Sequence, residues 1–188
     1  MSKKLPSSAA LHETVEQFHI LVDSVEEYAI YLLDPNGNVI TWNTGAEKIK
    51  GYSADEIVGK NFASFYTADD VAAGKPQRNL REAGRRGSIR DQGLRVRKDG
   101  STFEAEVVIT VLRDDAGEIR GFSKVTRDIT DQIRIREFEA EKIAAQKASK
   151  AKDDFLAALS HELRTPLTPA LAAATYLQDQ AEKFPREF

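Results

Sequence analysis

Cysteine is absent from this chain, and histidine, tryptophan and methionine number three, one and one among 188 residues. Without a thiol there are no disulfides, zinc–thiolate centres or cysteine redox chemistry, a composition compatible with a cytoplasmic protein. His12, His19 and His161 are too few and too scattered for an imidazole metal centre, so no metal site is expected. His12 and His19 lie seven residues apart on one predicted helix and suit a surface or a dimer interface. Long apolar runs are missing too. None approaches the ~20 residues that span a bilayer, and Met1-Ser2-Lys3-Lys4 leads into no signal-peptide core, so no membrane partner is expected for this chain. Nor is there an excess of positive charge: the formal balance is −3, which argues against a nucleic-acid partner. One basic cluster runs against that average, formed by Arg78, Arg81, Arg85, Arg86, Arg90, Arg95, Arg97 and Lys98, with only Glu82 and Asp91 opposing. No aromatic residue interleaves with it to stack on bases. A solvated helix face and strand edge is the expected role.

What is present, 41% hydrophobic and 30% charged residues, suits one compact domain with an extended helical part. Leu11, Val15, Phe18, Val22 and Val25 recur at helical spacing, so residues 10–26 read as an amphipathic helix. Tyr28–Leu33 is a β-rich run that ends in Asp34-Pro35-Asn36-Gly37, a strong turn signal, and Val39–Trp42 reads as its partner strand. From Asn43 to about Asp70 the pattern is of short helices broken by Gly45, Gly51 and Gly59. Residues 69–86 read as one longer helix carrying Leu80. Three strands follow at Ser88–Arg97, Thr102–Arg113 and Ile119–Asp128, joined by turns at Lys98-Asp99-Gly100 and Asp114–Gly117. The expected class is α+β, a five-stranded antiparallel sheet with helices against one face.

Beyond Thr130 no Gly or Pro interrupts the chain until Pro166, so one long helix is predicted. Ile135, Phe138, Lys142, Ala145, Ser149, Lys152, Leu156, Leu159 and Leu163 form a three-four seam with six of nine positions apolar. Its polar centre makes a weak coiled coil between two firmer ends, as suits a segment that changes register or rotates. Within this helix, at about 100° per residue, Leu156, Leu159 and Leu163 form one stripe. His161 falls two residues from both Leu159 and Leu163, roughly opposite. Arg164 and Thr165 share its side of the helix. Pro166 removes an amide donor and crowds the Glu162 carbonyl, which predicts a bend one turn after His161. Glu162 is placed to keep one ring nitrogen of His161 protonated and the other free as a nucleophile.

The run His161-Glu162-Leu163-Arg164-Thr165-Pro166-Leu167, with Phe155-Leu156 upstream, resembles the H-box of sensor histidine kinases of two-component systems. The resemblance implies a phospho-acceptor role for His161, an acid/base role for Glu162 and, at Thr165, the position that in some members directs water during phosphatase action. It also implies ATP and Mg²⁺ bound by a separate ATP-binding domain, a response-regulator receiver domain as partner, and a homodimer. No phosphate-cradling Gly-rich loop occurs in this chain. The expectation is therefore a sensory and phospho-acceptor portion that is inactive alone, truncated after the H-box helix.

The stretch from Tyr28 to Asp131 resembles a PAS domain. The pieces that carry the likeness are Leu33–Val39, Trp42-Asn43, Gly51–Gly59, Arg97–Gly100 and Gly121–Thr130, in that order. The boundaries expected from both resemblances are 1–27 for an N-terminal helix, 28–130 for the PAS sensor, 131–153 for a coiled-coil signalling helix and 154–188 for the first part of the dimerisation and phospho-acceptor domain. PAS domains enclose a pocket used for haem, flavin or small metabolites. Trp42, Tyr52, Phe62, Phe65 and Phe103 are the pocket candidates, each also readable as ordinary core. A cysteinyl flavin needs a thiol and is excluded. A haem held by the family's axial histidine is not expected either, because all three histidines lie outside the domain. Haem on another ligand and non-covalent flavin stay open, and the ligand is otherwise unknown. The alternative to a kinase part is a non-catalytic module that binds a ligand or dimerises.

Overall fold

A computed structural model describes residues Ser8–Lys183 and divides the chain into two units, residues 1–133 and 134–188. The first unit begins with α1 (Ser8–Asp23), then β1 (Tyr28–Leu33), α2 (Thr44–Lys50), α3 (Ala54–Ile57), a 3-10 turn (Phe62–Phe65), α4 (Ala68–Ala72) and α5 (Lys75–Arg86). Three strands complete it: β2 (Ser88–Val96), β3 (Thr102–Arg113) and β4 (Ile119–Asp128). α6 (Thr130–Lys183) starts there and forms the second unit.

The strands pair antiparallel in the order β1-β4-β3-β2. Alternation along each strand sends one set of side chains inward. Ala29, Tyr31 and Leu33 of β1, Phe103, Ala105, Val107 and Ile109 of β3 and Phe122 of β4 are buried together with Ile57, Phe62, Phe65 and Leu80 from the helical layer. Each large apolar side chain fully removed from water contributes about 1.5–3 kcal/mol. This core fixes the helices on one face of the sheet.

Among the described residues the sheet has four strands, not the expected five. The segment after the Asp34–Gly37 turn runs beside β1 but is not a ladder, making only isolated bridges from Val39 to Leu33 and from Asn38 to Asn61. The cause is where the hydrogen bonds go. The Leu32 amide donates to Thr41 Oγ1 (3.0 Å) and the Ile30 amide to Asn43 Oδ1 (2.9 Å), so side chains replace the backbone partner. Val39 instead donates to the Lys60 carbonyl at 2.9 Å.

Two helix boundaries also differ from the sequence reading. α1 ends at Asp23 because Val25 turns back to donate to the Val22 carbonyl (3.3 Å) and Asn43 then binds the carbonyls of both. The helix expected over 69–86 splits into α4 and α5 at Gly74, which takes a left-handed φ of 66° that only glycine adopts at low cost.

α6 is a single helix of 54 residues and runs uninterrupted through Pro166. Thr168 Oγ1 donates to the Arg164 carbonyl (2.7 Å) in that turn. Phe138, Ile143, Phe155, Leu156 and Leu167 are all exposed within one chain. No described helix is long and apolar enough to cross a membrane.

Candidate functional site

The five aromatic pocket candidates converge on the interior face of the sheet. Phe62, Phe65 and Phe103 are at most 1% exposed, and Trp42 and Tyr52 pack against them half-buried. Trp42 stacks on Phe65 with centroids 5.6 Å apart at 23°, and Tyr52 meets Phe65 edge-on at 5.9 Å. Trp42 Nε1 donates to the Tyr52 carbonyl at 2.8 Å, so the indole is held by a polar bond as well as by packing. Tyr31 joins from β1, 4.9 Å from Trp42 and 6.0 Å from Phe65, and Tyr66 meets Phe62 edge-on at 5.6 Å.

What the sequence reading missed is charge. Lys50, Arg95 and Lys124 lie among these rings with no exposed surface. Lys50 Nζ is 4.4 Å from the Phe65 centroid and 5.3 Å from that of Phe103. Lys124 Nζ is 4.6 Å from the Phe62 centroid and 4.9 Å from that of Tyr66, and the Arg95 guanidinium lies 4.1 Å from Tyr66. Strand parity is the signal for two of them. Lys124 sits between inward-facing Phe122 and Thr126, and Arg95 pairs with inward-facing Phe103. Lys50 follows buried Ala46 by one helical turn. The solvated role expected for the basic cluster therefore fails at Arg95 and holds at exposed Arg81, Arg85 and Arg86.

Arg95 is neutralised. Its Nη2 lies 2.5 Å from Asp91 Oδ2, its Nη1 donates to the Leu94 carbonyl (2.8 Å), and Asp70 is 3.9 Å away. Lys75 bridges the same two acids at 3.3 and 3.6 Å, and Asn79 supports Asp91 at 3.1 Å. Lys50 Nζ and Lys124 Nζ, by contrast, have no hydrogen-bond partner among the described residues. The Tyr31 hydroxyl and Thr126 Oγ1 face one another without closing a hydrogen bond of ordinary geometry, though their contact opposes the rise that burial gives the Tyr31 hydroxyl. Cation–π contacts are the main compensation for the two ammonium groups, worth ~2 kcal/mol or more each when desolvated.

Burial, reinforced by repulsion from Arg95 and Arg97, pushes the Lys50 ammonium down to about 7, with Asp128 opposing weakly. Burial, then Lys50 and Arg95, moves Lys124 well below its ordinary value. This sets a sign for the pH dependence of stability. Below pH ~7 Lys50 is protonated in both states and its burial cost is fully present. Between ~7 and ~10.4, the ordinary lysine value, the unfolded chain holds a proton that the folded chain does not, so stability rises with pH. Urea midpoints of the unliganded protein are expected to climb from pH 7 to pH 9. A flat or falling midpoint contradicts the burial of an unpaired ammonium.

A cavity of about 470 Å³ lies between α1 and the outer side of β1, lined by Phe18, Val22, Ile30, Leu32, Ile40 and Trp42 among others. His19 borders it on exposed α1, outside the aromatic interior, and the side chain of His12 lies outside the described residues. Among the described residues no group of three or more His, Asp or Glu side chains is placed to hold a metal ion.

The junction from sheet to long helix is built from ionic and capping contacts. Arg97 Nη2 lies 2.5 Å from Asp128 Oδ2 and its Nη1 donates to the Ile49 carbonyl. Asp128 Oδ1 accepts from the Thr130 amide (2.9 Å), while Thr130 Oγ1 accepts from the Glu104 amide (3.0 Å). Against the upward push of burial, the bonds from Arg97 and Thr130 hold the Asp128 carboxyl below its ordinary range. Farther along α6, positions 161–167 are helical, with Glu162, Arg164 and Thr165 exposed. The side chains of His161, Leu163 and Pro166 lie outside the described residues.

Comparison with known proteins matches residues 27–131 to the PAS domain family and residues 151–188 to the His Kinase A (phospho-acceptor) domain. The chain is 48% identical to two-component system protein A of Emericella nidulans over 87% of its own length and 24% of that protein's. It is 31% identical to the cell-division control histidine kinase PdhS of Brucella anthropi over 93% of its own length and 16% of that protein's. It thus spans about a quarter or less of these relatives. Among solved structures, the PAS domain of a Colwellia psychrerythraea protein aligns over 63% of this chain and 98% of its own at 23% identity, with a TM-score of 0.58. The PAS domain of an HTR-like protein from Haloarcula marismortui aligns over 64% and 96% at 27% identity, with a TM-score of 0.51.

Proposed function

The chain belongs to the PAS domain family and carries the sensory and phospho-acceptor portions of a sensor histidine kinase, and from that premise we propose that His161 is phosphorylated from ATP under control of the sensor unit. The observation that carries this reading is the run from His161 to Leu167 in helical register on α6, whose first turn is pinned to the sheet through Asp128 and Thr130. The proposed division is an N-terminal helix over 1–27, the sensor over 28–130, a signalling helix over 131–153 and the phospho-acceptor part over 154–188.

In the proposed step the unprotonated ring nitrogen of His161 attacks the γ-phosphorus of Mg²⁺-bound ATP. The bond from phosphorus to the β,γ-bridging oxygen breaks and ADP leaves. The proton on the other ring nitrogen passes to Glu162, leaving a neutral phosphoimidazole. A receiver-domain aspartate carboxylate then attacks the same phosphorus and His161 is restored. Catalysis of such transfers rests on positioning and charge stabilisation. ATP and Mg²⁺ come from a separate ATP-binding domain, and Thr165 positions water when the phosphoryl group is removed from the regulator. The exposed apolar residues along α6 support a homodimer in which two such helices pack along their seams.

The test supplies a purified histidine-kinase ATP-binding domain in trans with γ-labelled ATP. Acid-labile label is expected on the parent chain and none on His161→Gln, with helicity and dimer mass unchanged between them. Label that persists in His161→Gln, or a parent chain that never takes label, refutes the assignment and leaves a non-catalytic module.

A further inference from the structure

Lys50 and Lys124 approach one another from opposite layers of the sensor unit, Lys50 from the end of α2 and Lys124 from the middle of β4. Both sit within about 6 Å of the Tyr31 ring centroid, at 6.0 and 5.9 Å. The carboxylates nearest this region, Asp91, Asp70 and Asp128, are committed to Arg95, Lys75 and Arg97. Two lysine amines are therefore left without a counter-ion in the buried interior. Around Lys124 the unpaired groups accumulate. Tyr31 is its cross-strand partner, and Thr126 is the next inward residue on the same strand. Among the described residues Lys124 Nζ, Tyr31 Oη and Thr126 Oγ1 close no hydrogen bond of ordinary geometry.

Buried polar groups are ordinarily paired, and each one that is not costs free energy. A pure packing role would be served at lower cost by methionine or leucine, which share the length of a lysine stem without its charge. Among the described residues five buried side-chain atoms close no hydrogen bond of ordinary geometry, and four of them, on Lys50, Lys124, Tyr31 and Thr126, cluster around the Tyr31 ring. Their common property is that they donate hydrogen bonds, and all favour an anion.

We propose that the interior of the sensor unit binds a small organic dianion, a short or aromatic dicarboxylate. One carboxylate is held by Lys124, Tyr31 and Thr126, the other by Lys50, and the rings of Phe62, Phe65 and Phe103 flank the body between them. This rests on the sensory reading of the PAS unit and supplies its ligand class. Two charges are specified because two lysines, each able to take up a proton beside an anion, are left over after Arg95 is neutralised. An organic body is specified because the surroundings are aromatic. Both lysines hang on flexible four-carbon stems, which lets them withdraw to admit the ligand and close on it. An anion between them also restores the charged form of Lys50, so binding takes up a proton at mildly alkaline pH.

The test is thermal unfolding of the full chain at constant ionic strength with succinate, glutarate, phthalate, butyrate, benzoate or inorganic phosphate. A dicarboxylate is expected to raise Tm by about 5 °C or more at saturating concentration, with the monocarboxylates well behind. Lys50→Met and Lys124→Met are expected to fold with an unliganded Tm equal to or above that of the parent, and to lose the dicarboxylate shift. Arg81→Ala, in the exposed basic cluster, keeps it. No shift from any dicarboxylate overturns the proposal. So does an equal shift from phosphate, a shift that survives in both lysine variants, or a Soret or flavin band in the spectrum of the purified protein. The readout never involves His161, so failure here is distinguishable from failure of the phosphoryl-transfer reading.

Discussion

Replacing Asn43 with alanine is expected to destabilise the sensor unit by about 3–5 kcal/mol, a large share of the 5–15 kcal/mol typical of a domain. Asn43 is 4% exposed and uses its whole side chain. Oδ1 accepts from the Ile30 amide at 2.9 Å and from the Ala46 amide at 2.8 Å, the second being the N-cap of α2. Nδ2 reaches the carbonyls of Val22 (3.1 Å), Val25 (3.3 Å) and Tyr28 (3.1 Å). One amide therefore ties the end of α1, the start of β1 and the start of α2. Alanine leaves two amides and three carbonyls without it, and the cap alone is worth ~1 kcal/mol. Asn43→Asp keeps the acceptors but turns a carboxylate toward three carbonyl oxygens, and is expected to be nearly as unstable. The fluorescence of Trp42, the one tryptophan in the chain, reports unfolding in urea. A midpoint for Asn43→Ala within ~1 kcal/mol of the parent, at unchanged slope, would show that the surroundings re-satisfy these groups.

Asn43 also marks where the sequence stops being legible. The hairpins of the sheet's last three strands are fixed by local turns, and Lys98–Gly100 and Asp114–Gly117 lie where residue type alone places them. Val39–Trp42 has the composition of a strand. It fails to form one because Thr41 and Asn43 supply side-chain acceptors to β1, a tertiary choice that no local propensity records. The aromatic cluster was legible as a set, since large apolar side chains seek the interior regardless of topology. The cations among them were not. Composition treats lysine and arginine as surface residues, and only strand parity reveals that Lys124 and Arg95 face inward. Parity was readable from Ile119 to Asp128, but it competes there with the expectation that charge stays in water. The run from His161 to Leu167 stood out because its signal is a contiguous run of residue types, and the His Kinase A match over residues 151–188 spans it. Pro166, where the sequence predicts a bend, lies inside α6, which continues as helix to Lys183.

Gly45 reverses an ordinary rule, and its substitution is the second large effect. The sequence suggests a helix breaker, yet Gly45 lies inside α2, one residue past its start, and is fully enclosed there. In a solvent-exposed helix, glycine to alanine gains roughly 1 kcal/mol from propensity alone. Here a Cβ would meet the Tyr28 carbonyl oxygen at 2.2 Å, that of Val25 at 2.7 Å and that of Glu26 at 3.0 Å. All three are backbone atoms, two of them held by Asn43, so none can give way without moving the α1–β1 connection. Gly45→Ala is expected to cost about 2–4 kcal/mol despite its better propensity. Gly84→Ala in α5 is the matched control. Its Cβ would touch only the Ile119 Cδ1 methyl at 3.3 Å, a side-chain end that can shift, and it is expected to be neutral or stabilising. Because Asn43 and Gly45 hold the same Val25–Tyr28 segment, the double variant should lose less than the sum of the single losses. Full additivity in urea would mean that the two residues act on separate parts of the fold, and that the close approach of α2 to this turn is not what the amide secures.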